Sequence, residues 1–329
     1  MVAKTAGVSS ATVSRVYNAP HLVRKNRREA VLQAASKLGY IPNKSASALR
    51  RNGTGIITLV EIAKGKRPYY WNDMAAFNWF YGEVIKSAKK TIDSTMYHLT
   101  LETITDLRDL NSLQHQCDGI LFFDIDDQNE VEAIQHLSIP YVAAHHTYEY
   151  TQLWRCSTDN VYGGRLQADA LARKNVKRPV YITSYIESVN PHAERLQGFL
   201  DYWSSHEHHK AKVIELESDT HTFDSMIKLV SQTISDGADG IACVNDVLLL
   251  RVLNVLLKDQ SLKELPLPTV GYDAIPFRDV IPYKFASIDI KQAVIYQQAA
   301  ELLLKRLSTT FSQNERSHHV IIEPALVPD

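Results

Sequence analysis

The stretch "AGVSSATVSRVYN" at residues 6–18 places valines on one side of a helix and Ser, Ala, Thr, Ser, Arg and Asn around the rest, with nothing acidic in it. Gly7 reads as the stop of a short preceding piece, "VAKTAG", and Ser9 as the N-cap of the helix that follows. Val8 and Val13 then fall at N′ and N4, the positions of a hydrophobic staple. Val13, Val16 and Tyr17 share one face, and Ser10, Ala11, Ser14, Arg15 and Asn18 share the other. A supporting helix runs through "RREAVLQAASKLGY", where Val31, Ala34, Ala35 and Leu38 recur at i, i+3, i+4 and i+7 and are expected to face inward. Helix, glycine-containing turn, helix and supporting helix make a helix-turn-helix pattern. In that pattern the valines dock on a small core and the small polar face fits a major groove, where Ser, Thr and Arg donate to base edges or phosphates. The same spacing also describes a solvated face on an ordinary small bundle.

Charge favours the first of these readings. Residues 1–55 hold ten Lys or Arg against one acid, Glu29, so the remaining chain carries −10 within a total of −1. A basic head on an acidic body suggests a docking module for a polyanion joined to a part that avoids one. Hydrophobic residues at 45% and charged residues at 22% exclude a disordered chain, and 329 residues leave room for two or three cores. Cys117, Cys156 and Cys243 are far apart and odd in number, which implies buried thiols rather than a disulfide framework or a metal site. Residues 1–20 lack the apolar run of a signal peptide, and the most apolar stretch, "VLLLRVLNVLL" at 247–257, is short and interrupted by Arg251. A cytoplasmic protein with no membrane partner is expected.

The stretches "VAKTAGVSSATVSRVYN" and "EAVLQAASKLGYIPNKSASALR" resemble the DNA-binding head of the LacI/GalR family of bacterial transcription regulators, continuously over residues 2–50. The resemblance places Ser10, Ala11 and Arg15 at base-reading positions, and Thr12, Ser14 and Asn18 at positions directed at phosphates or the helix surface. Arg24 stands where the family has Ser or Thr capping the third helix, exchanging a cap for a phosphate contact. The family carries residues ahead of "VAK", so the first helix is expected to be a turn short. Residues 1–42 are thus read as the helix-turn-helix domain and 43–54 as a hinge. Pro42 stops the preceding helix, and the basic, small-residue stretch 44–51 is too short to be stable alone. Its Leu49 either packs on the body as part of a plain linker or, as the resemblance implies, wedges into the minor groove beside its dimer partner.

From residue 55 to 329 short apolar strands alternate with helical stretches, as in a parallel α/β sheet. Strands are expected at 55–62, 118–125, 140–146, 178–185, 240–246, 268–274 and 285–290, with a last one in "VIIEPALVPD". "CDGILFFD" and "ADGIACVND" echo each other, which suggests two similar lobes, each with a ligand-facing edge at its strand C-termini. No GxGxxG, P-loop, nucleophile elbow or metal motif follows any strand, so neither a cofactor nor an enzymatic role is expected. "TDNVYGG", "ERLQGF", "VNDVLLL" and "PTVGYDAIP" extend the family resemblance over the body. It implies a periplasmic-binding-protein-like, Rossmann-like fold, with a small effector clamped between two lobes by Arg195, Asn245 and Asp273. His145 stands where many family members carry an acid, which leaves ligand choice there open. The aromatic stretch 67–84 places Tyr70 and Trp71 either in the pocket, stacked on a sugar ring, or in a core or dimer contact, whereas Trp79 and Phe80 are expected to pack inside. "HEHHK" (His206, His208, His209) and the pair His318, His319 read as solvated loops rather than metal ligands.

The chain ends without the leucine-heptad tail that makes some of the family tetramers, so a homodimer on a near-palindromic DNA operator is expected. The leading functional reading is a repressor governed by a carbohydrate. The alternatives are a purine or nucleoside effector, or a small-molecule binder whose head no longer binds DNA.

Overall fold

The computed structural model describes residues 1–18, 23–40, 53–63, 78–125, 128–145, 153–183, 190–205, 211–216, 223–258, 267–281, 283–309 and 317–329. Leu49 and the rest of 43–52, Tyr70, Trp71, His206, His208 and His209 lie outside them.

Three helices form the head: α1 (Val2–Thr5), α2 (Ser10–Asn18) and α3 (Lys25–Lys37). Ser9 caps α2, its Oγ accepting the Thr12 amide at 3.1 Å. Val2, Val13, Val16, Val31, Ala34 and Ala35 make one small core, with Val8 packed against its edge as a staple requires. Leu38 does not join them and is 39% exposed. Its position at i+7 assumed a helix that continues, but α3 ends at Lys37 and Leu38 is already its C-cap. Arg24 occupies the N-cap of α3 without a side-chain cap bond.

The body holds two parallel sheets. The first has the order β11-β5-β4-β3-β1-β2, built from β1 (Ile56–Ile62), β2 (His98–Ile104), β3 (Gly119–Phe122), β4 (Tyr141–Ala144), β5 (Arg155–Thr158) and β11 (His319–Ile322). In its central strands, β1, β3 and β4, residues alternate between two apolar faces, as strands covered on both sides must. Ile57, Leu59, Leu121 and Phe123 join a core with α4 (Asn78–Asp93) and α11 (Gln292–Leu307). Val60, Ile62, Ile120 and Phe122 face α5 (Asp109–Leu113) and α6 (Gln128–Gln135).

The second sheet runs β7-β6-β8-β9, with β6 (Pro179–Thr183), β7 (Lys212–Glu215), β8 (Gly240–Cys243) and β9 (Thr269–Val270). Around its core lie α7 (Asn160–Ala172), α8 (Asn190–Ser204), α9 (Phe223–Ser235) and α10 (Asp246–Lys258). The echoing segments "CDGILFFD" and "ADGIACVND" supply β3 and β8, which occupy equivalent places in the orders 2-1-3-4 and 7-6-8-9. The two lobes therefore repeat one topology, and the expected α/β class holds. From the apolar run at 247–257, Val247, Leu248, Leu249, Val252, Leu253 and Leu256 are buried on α10, and no described helix is long and apolar enough to cross a membrane.

The chain passes between lobes three times: from β5 into α7, from β10 (Ser287–Asp289) into α11, and from β11 into β12 (Ala325–Val327). The last of these corrects the sequence reading. "VIIEPALVPD" is not one strand, because Pro324 breaks the ladder between β11 in the first lobe and β12, which pairs antiparallel with β10. His319 is likewise a half-buried strand residue rather than part of a solvated loop. Its Nε2 lies 2.7 Å from Ser157 Oγ, and burial pushes its pKa down to about 4. His318 is exposed. All three cysteines are free and buried.

Candidate effector site and nucleic-acid face

On α2 the residues opposite the core are Ser10, Ala11, Ser14 and Arg15, all exposed, and the first turn contains no acid. Thr12 is half-buried, with its hydroxyl 3.0 Å from that of Ser9, so the cap positions it. Asn18 is the last residue of α2. The exposed set matches the polar face expected of a groove-reading helix.

In the body, Arg195 on α8 is only 4% exposed. Its Nε donates to Asn160 Oδ1 at 3.1 Å, and one terminal nitrogen donates to the Val244 carbonyl at 2.8 Å. The other lies 3.4 Å from Asp273 Oδ1, and the guanidinium carbon sits 3.8 Å from the centre of the Tyr272 ring. A planar fork with five donors satisfies these partners together, where an ammonium does not. Asp273 is held in a left-handed conformation, φ 94°, its amide donating to the Ile288 carbonyl at 2.7 Å. Burial raises its pKa, and the charges of Arg195 and His145 oppose that rise.

His145 belongs to the other lobe, directly after β4, with φ 70°. Its Nδ1 is 3.1 Å from Asp124 Oδ1, and its ring meets Phe80 edge-on with centroids 5.1 Å apart. Phe80 packs edge-on against Phe123, on which Tyr81 stacks at 4.8 Å and 9°. As expected, Phe80 packs inside, while Trp79 is half-buried. The structure thus brings Arg195, Asp273 and His145 to the facing edges of the two lobes, with an aromatic shelf beside the histidine.

Asn245 is placed differently. It is buried, and its Oδ1 accepts the Leu248 amide at 2.8 Å, so it caps α10. The sequence reading missed four residues here: Asn160, Tyr272, Asp124 and Asp246. Asn160 and Tyr272 stand inside the quoted motifs "TDNVYGG" and "PTVGYDAIP", one beside a cap residue and the other beside Asp273. Asp124 and Asp246 each follow an apolar strand, the place where a ligand-facing edge begins.

Asp246 is a fully buried carboxylic acid. Both its oxygens are 2.8 Å from Ser287 Oγ, and Oδ2 accepts the Ile275 amide at 3.0 Å. Burial, with the Asp273 charge added, pushes its pKa up to about 8, against the bonds from Ile275 and Ser287 and the charge of Arg278. The native state therefore binds a proton that the unfolded chain releases near the ordinary value of 3.8. By linkage, stability falls as pH rises from about 4 to about 8. Asp246→Asn keeps an acceptor for Ile275 and adds a donor for Ser287, so its melting temperature is expected to vary less over this range. Parallel curves for the two proteins in thermal melts from pH 5 to 8 would reject a proton on Asp246.

A helix-turn-helix head on a two-lobed α/β body, with a buried arginine–aspartate pair where the lobes face, is the build of a DNA-binding regulator under ligand control. Residues 2–43 match the family model described as "Bacterial regulatory proteins, lacI family". The sucrose operon repressor of Pediococcus pentosaceus is 26% identical over 313 residues, 93% of this chain and 91% of that one. Among solved structures, a complex of the transcriptional regulator CelR with cellobiose aligns with a TM-score of 0.66 at 23% identity, covering 99% of this chain and 97% of that one. A lac repressor dimer bound to operator and an anti-inducer aligns at 0.67 and 18%, covering 99% and 96%. Residues 2–43 thus match the lacI-family DNA-binding head, and the rest of the chain is similar along its length to regulators that carry that head.

Proposed function

We propose that this chain is a dimeric repressor in the cytoplasm, bound to a near-palindromic operator and governed by an uncharged sugar held between its lobes. In this reading the head (1–42) reads the groove through Ser10, Ala11 and Arg15, with Thr12, Ser14 and Asn18 toward phosphates. The hinge (43–54) orders on DNA with Leu49 in the minor groove, and the body (55–329) binds the effector and the second copy.

The observation that carries the effector class is the pairing of charges in the cleft. Among the described residues, the Arg195 guanidinium faces Asp273 and the His145 imidazole faces Asp124. A phosphorylated or carboxylated ligand meets those acids as well as the bases, whereas hydroxyl groups donate to the carboxylates and accept from the guanidinium. The aromatic shelf of Phe80, Tyr81 and Phe123 suits the apolar C–H face of a sugar ring. Relatives named for sucrose and, in a solved complex, bound to cellobiose support the same class. Arg195 and Asp273 are assigned to ligand hydroxyls and His145 to the facing side, and Tyr70 and Trp71 are the aromatics proposed to stack on the sugar ring. Asn245 contributes through the amide nitrogen that its cap leaves over.

DNA selection tests the regulator. The full chain is expected to enrich a near-palindrome from a random duplex pool, with affinity that falls steeply with salt. Arg15→Ala is expected to lose about 1–3 kcal/mol of preference for that site while keeping its affinity for unrelated duplex. Failure of the full chain to enrich any site would reject the repressor and leave a small-molecule binder.

A further inference from the structure

Where the hinge joins the body, one carboxylate holds the chain. Asp118, the residue before β3, accepts from the Thr54 amide at 2.7 Å, from the Thr54 hydroxyl at 2.9 Å and from the Gly55 amide at 2.8 Å. Gly53 closes over the same group: a Cβ there would lie 2.9 Å from Asp118 Oδ2. The Gly55 carbonyl takes the His98 amide at 2.9 Å, and the Asp118 amide donates to the Ile56 carbonyl at 2.8 Å, so the anchor is stitched to β1, β2 and β3 together. Bonds to a charged acceptor are roughly twice as strong as neutral ones, and Thr54 itself is exposed.

The position matters as much as the bonds. The segment with β3 at its centre runs from Asp118 before the strand to Phe123 and Asp124 after it, about 20 Å away at 3.3 Å per residue. Phe123 and Asp124 follow the effector end, and Asp118 precedes the hinge end, of one buried strand flanked by β1 and β4. A rigid displacement of the first lobe at the cleft is therefore delivered to residues 53–55 through Asp118.

We propose that Asp118 is the positioning residue that fixes the body end of the hinge, and so sets how readily the hinge orders on a specific DNA site. This rests on the regulator reading above. Without the anchor, residues 53 and 54 must be ordered when DNA binds, and fixing one residue's backbone costs about tenfold in affinity. Non-specific binding draws on charge alone and does not need an ordered hinge. A residue that merely stabilised the first lobe would shift the melting temperature but not the ratio of specific to non-specific affinity.

The experiment uses the full chain and a duplex enriched by the wild type from a random pool, with an unrelated duplex of equal length as control. Asp118→Ala is expected to bind the enriched duplex about tenfold more weakly or worse. Thr54→Val, which keeps both backbone bonds to Asp118 but loses the hydroxyl bond to it and the Ile56 amide's 3.1 Å bond to that hydroxyl, is expected to lose about threefold. Both should bind the control duplex as the wild type does, with the same salt slope. Asp118→Asn should fall between them, since its Oδ1 still accepts from Thr54 while its amide nitrogen faces the Gly55 N–H. Unchanged affinity for the enriched duplex, or equal losses on both duplexes, overturns the anchor. If Asp118→Ala does not fold, Thr54→Val decides by the same comparison. A wild type that enriches nothing instead rejects the regulator, and the anchor falls with it.

Discussion

Replacing Gly198 by alanine is expected to lower the melting temperature by about 10 °C, a loss of about 4 kcal/mol or more. Helices α7 and α8 cross with their backbones in contact. A Cβ on Gly198 would lie 1.8 Å from the Val161 carbonyl oxygen, and one on Gly164 would lie 1.9 Å from that of Arg195. Overpacking in a core costs about 1–3 kcal/mol when side chains can move aside. Here the obstacle is a helical carbonyl, so the helices themselves must separate, and the buried residues between them lose contact along the crossing. Gly82 gives the control, because a Cβ there meets nothing within 4 Å although it too is a helical glycine. Gly82→Ala is expected to raise stability by up to about 1 kcal/mol, since alanine is the better helix former. Equal and small effects at the two glycines in thermal melts would show that the crossing tolerates a methyl group. The separation also has a functional consequence. Arg195 lies on α8 three residues before Gly198, so a displaced α8 carries the guanidinium away from Asn160 and Asp273.

That pair of glycines marks what the sequence made legible and what it did not. "TDNVYGG" and "ERLQGF" were recognisable as segments, but their close approach is a fact about two glycines 34 residues apart on different helices, and periodicity within either helix is silent on it. Local signals carried well where local physics decided the outcome. The Ser9 cap, the valine face of α2 and the staple all depend on neighbours within one or two turns. Strands buried on both faces, such as Ile56–Ile62 and Gly240–Cys243, announced themselves as continuous apolar runs.

Three strands did not. His98–Ile104 is an edge strand with exposed polar residues, and Arg155–Thr158 and Lys212–Glu215 are four residues each with charged members. Their pairing comes from the sheet they join, not from their own pattern. The same holds at the site. Arg195 and Asp273 were named through family motifs, whereas the partners that fix the guanidinium come from residues 160 and 244, brought there only by folding. Asp118 was quoted within "CDGILFFD" for its strand alone, because its three bonds to residues 54 and 55 span more than sixty positions.

Arg195→Ala is expected to abolish the response to an uncharged sugar while leaving DNA binding in its absence intact. In the wild type a screen of neutral sugars should find one that raises the melting temperature through preferential binding to the native state, and the matching sugar phosphate should not. Removing the guanidinium takes away the donors proposed to meet the sugar, leaves the Val244 carbonyl without the donor Arg195 supplies, and leaves Asn160 Oδ1 with the Tyr272 hydroxyl at 3.5 Å in place of a charged donor. Losing one charge-assisted contact of this kind weakens a ligand by about 10–100-fold.

Stability falls as well, because Asp273 is then a buried carboxylate without its cation. Breaking a buried pair costs about 3–5 kcal/mol in general. The cost here is expected at the low end, since the contact is 3.4 Å and Asp273 has an escape in protonation. Its pKa is already raised by burial, and the loss of Arg195 removes the main opposing charge, so the native state takes up a proton more readily still. A native acid with a raised pKa loses stability as pH rises above its unfolded value. The deficit of Arg195→Ala should therefore be larger at pH 8 than at pH 5.

Arg195→Lys separates charge from geometry. A lysine keeps the positive charge for Asp273 and should recover part of the stability. It cannot bridge Asn160, Val244 and Asp273 at once or lie flat on Tyr272, so the sugar response should stay lost. A normal sugar-induced shift in Arg195→Ala would remove Arg195 from the effector site. A response restored in full by lysine would reduce its role to charge alone, and the argument for a hydroxyl-reading fork would fail with it.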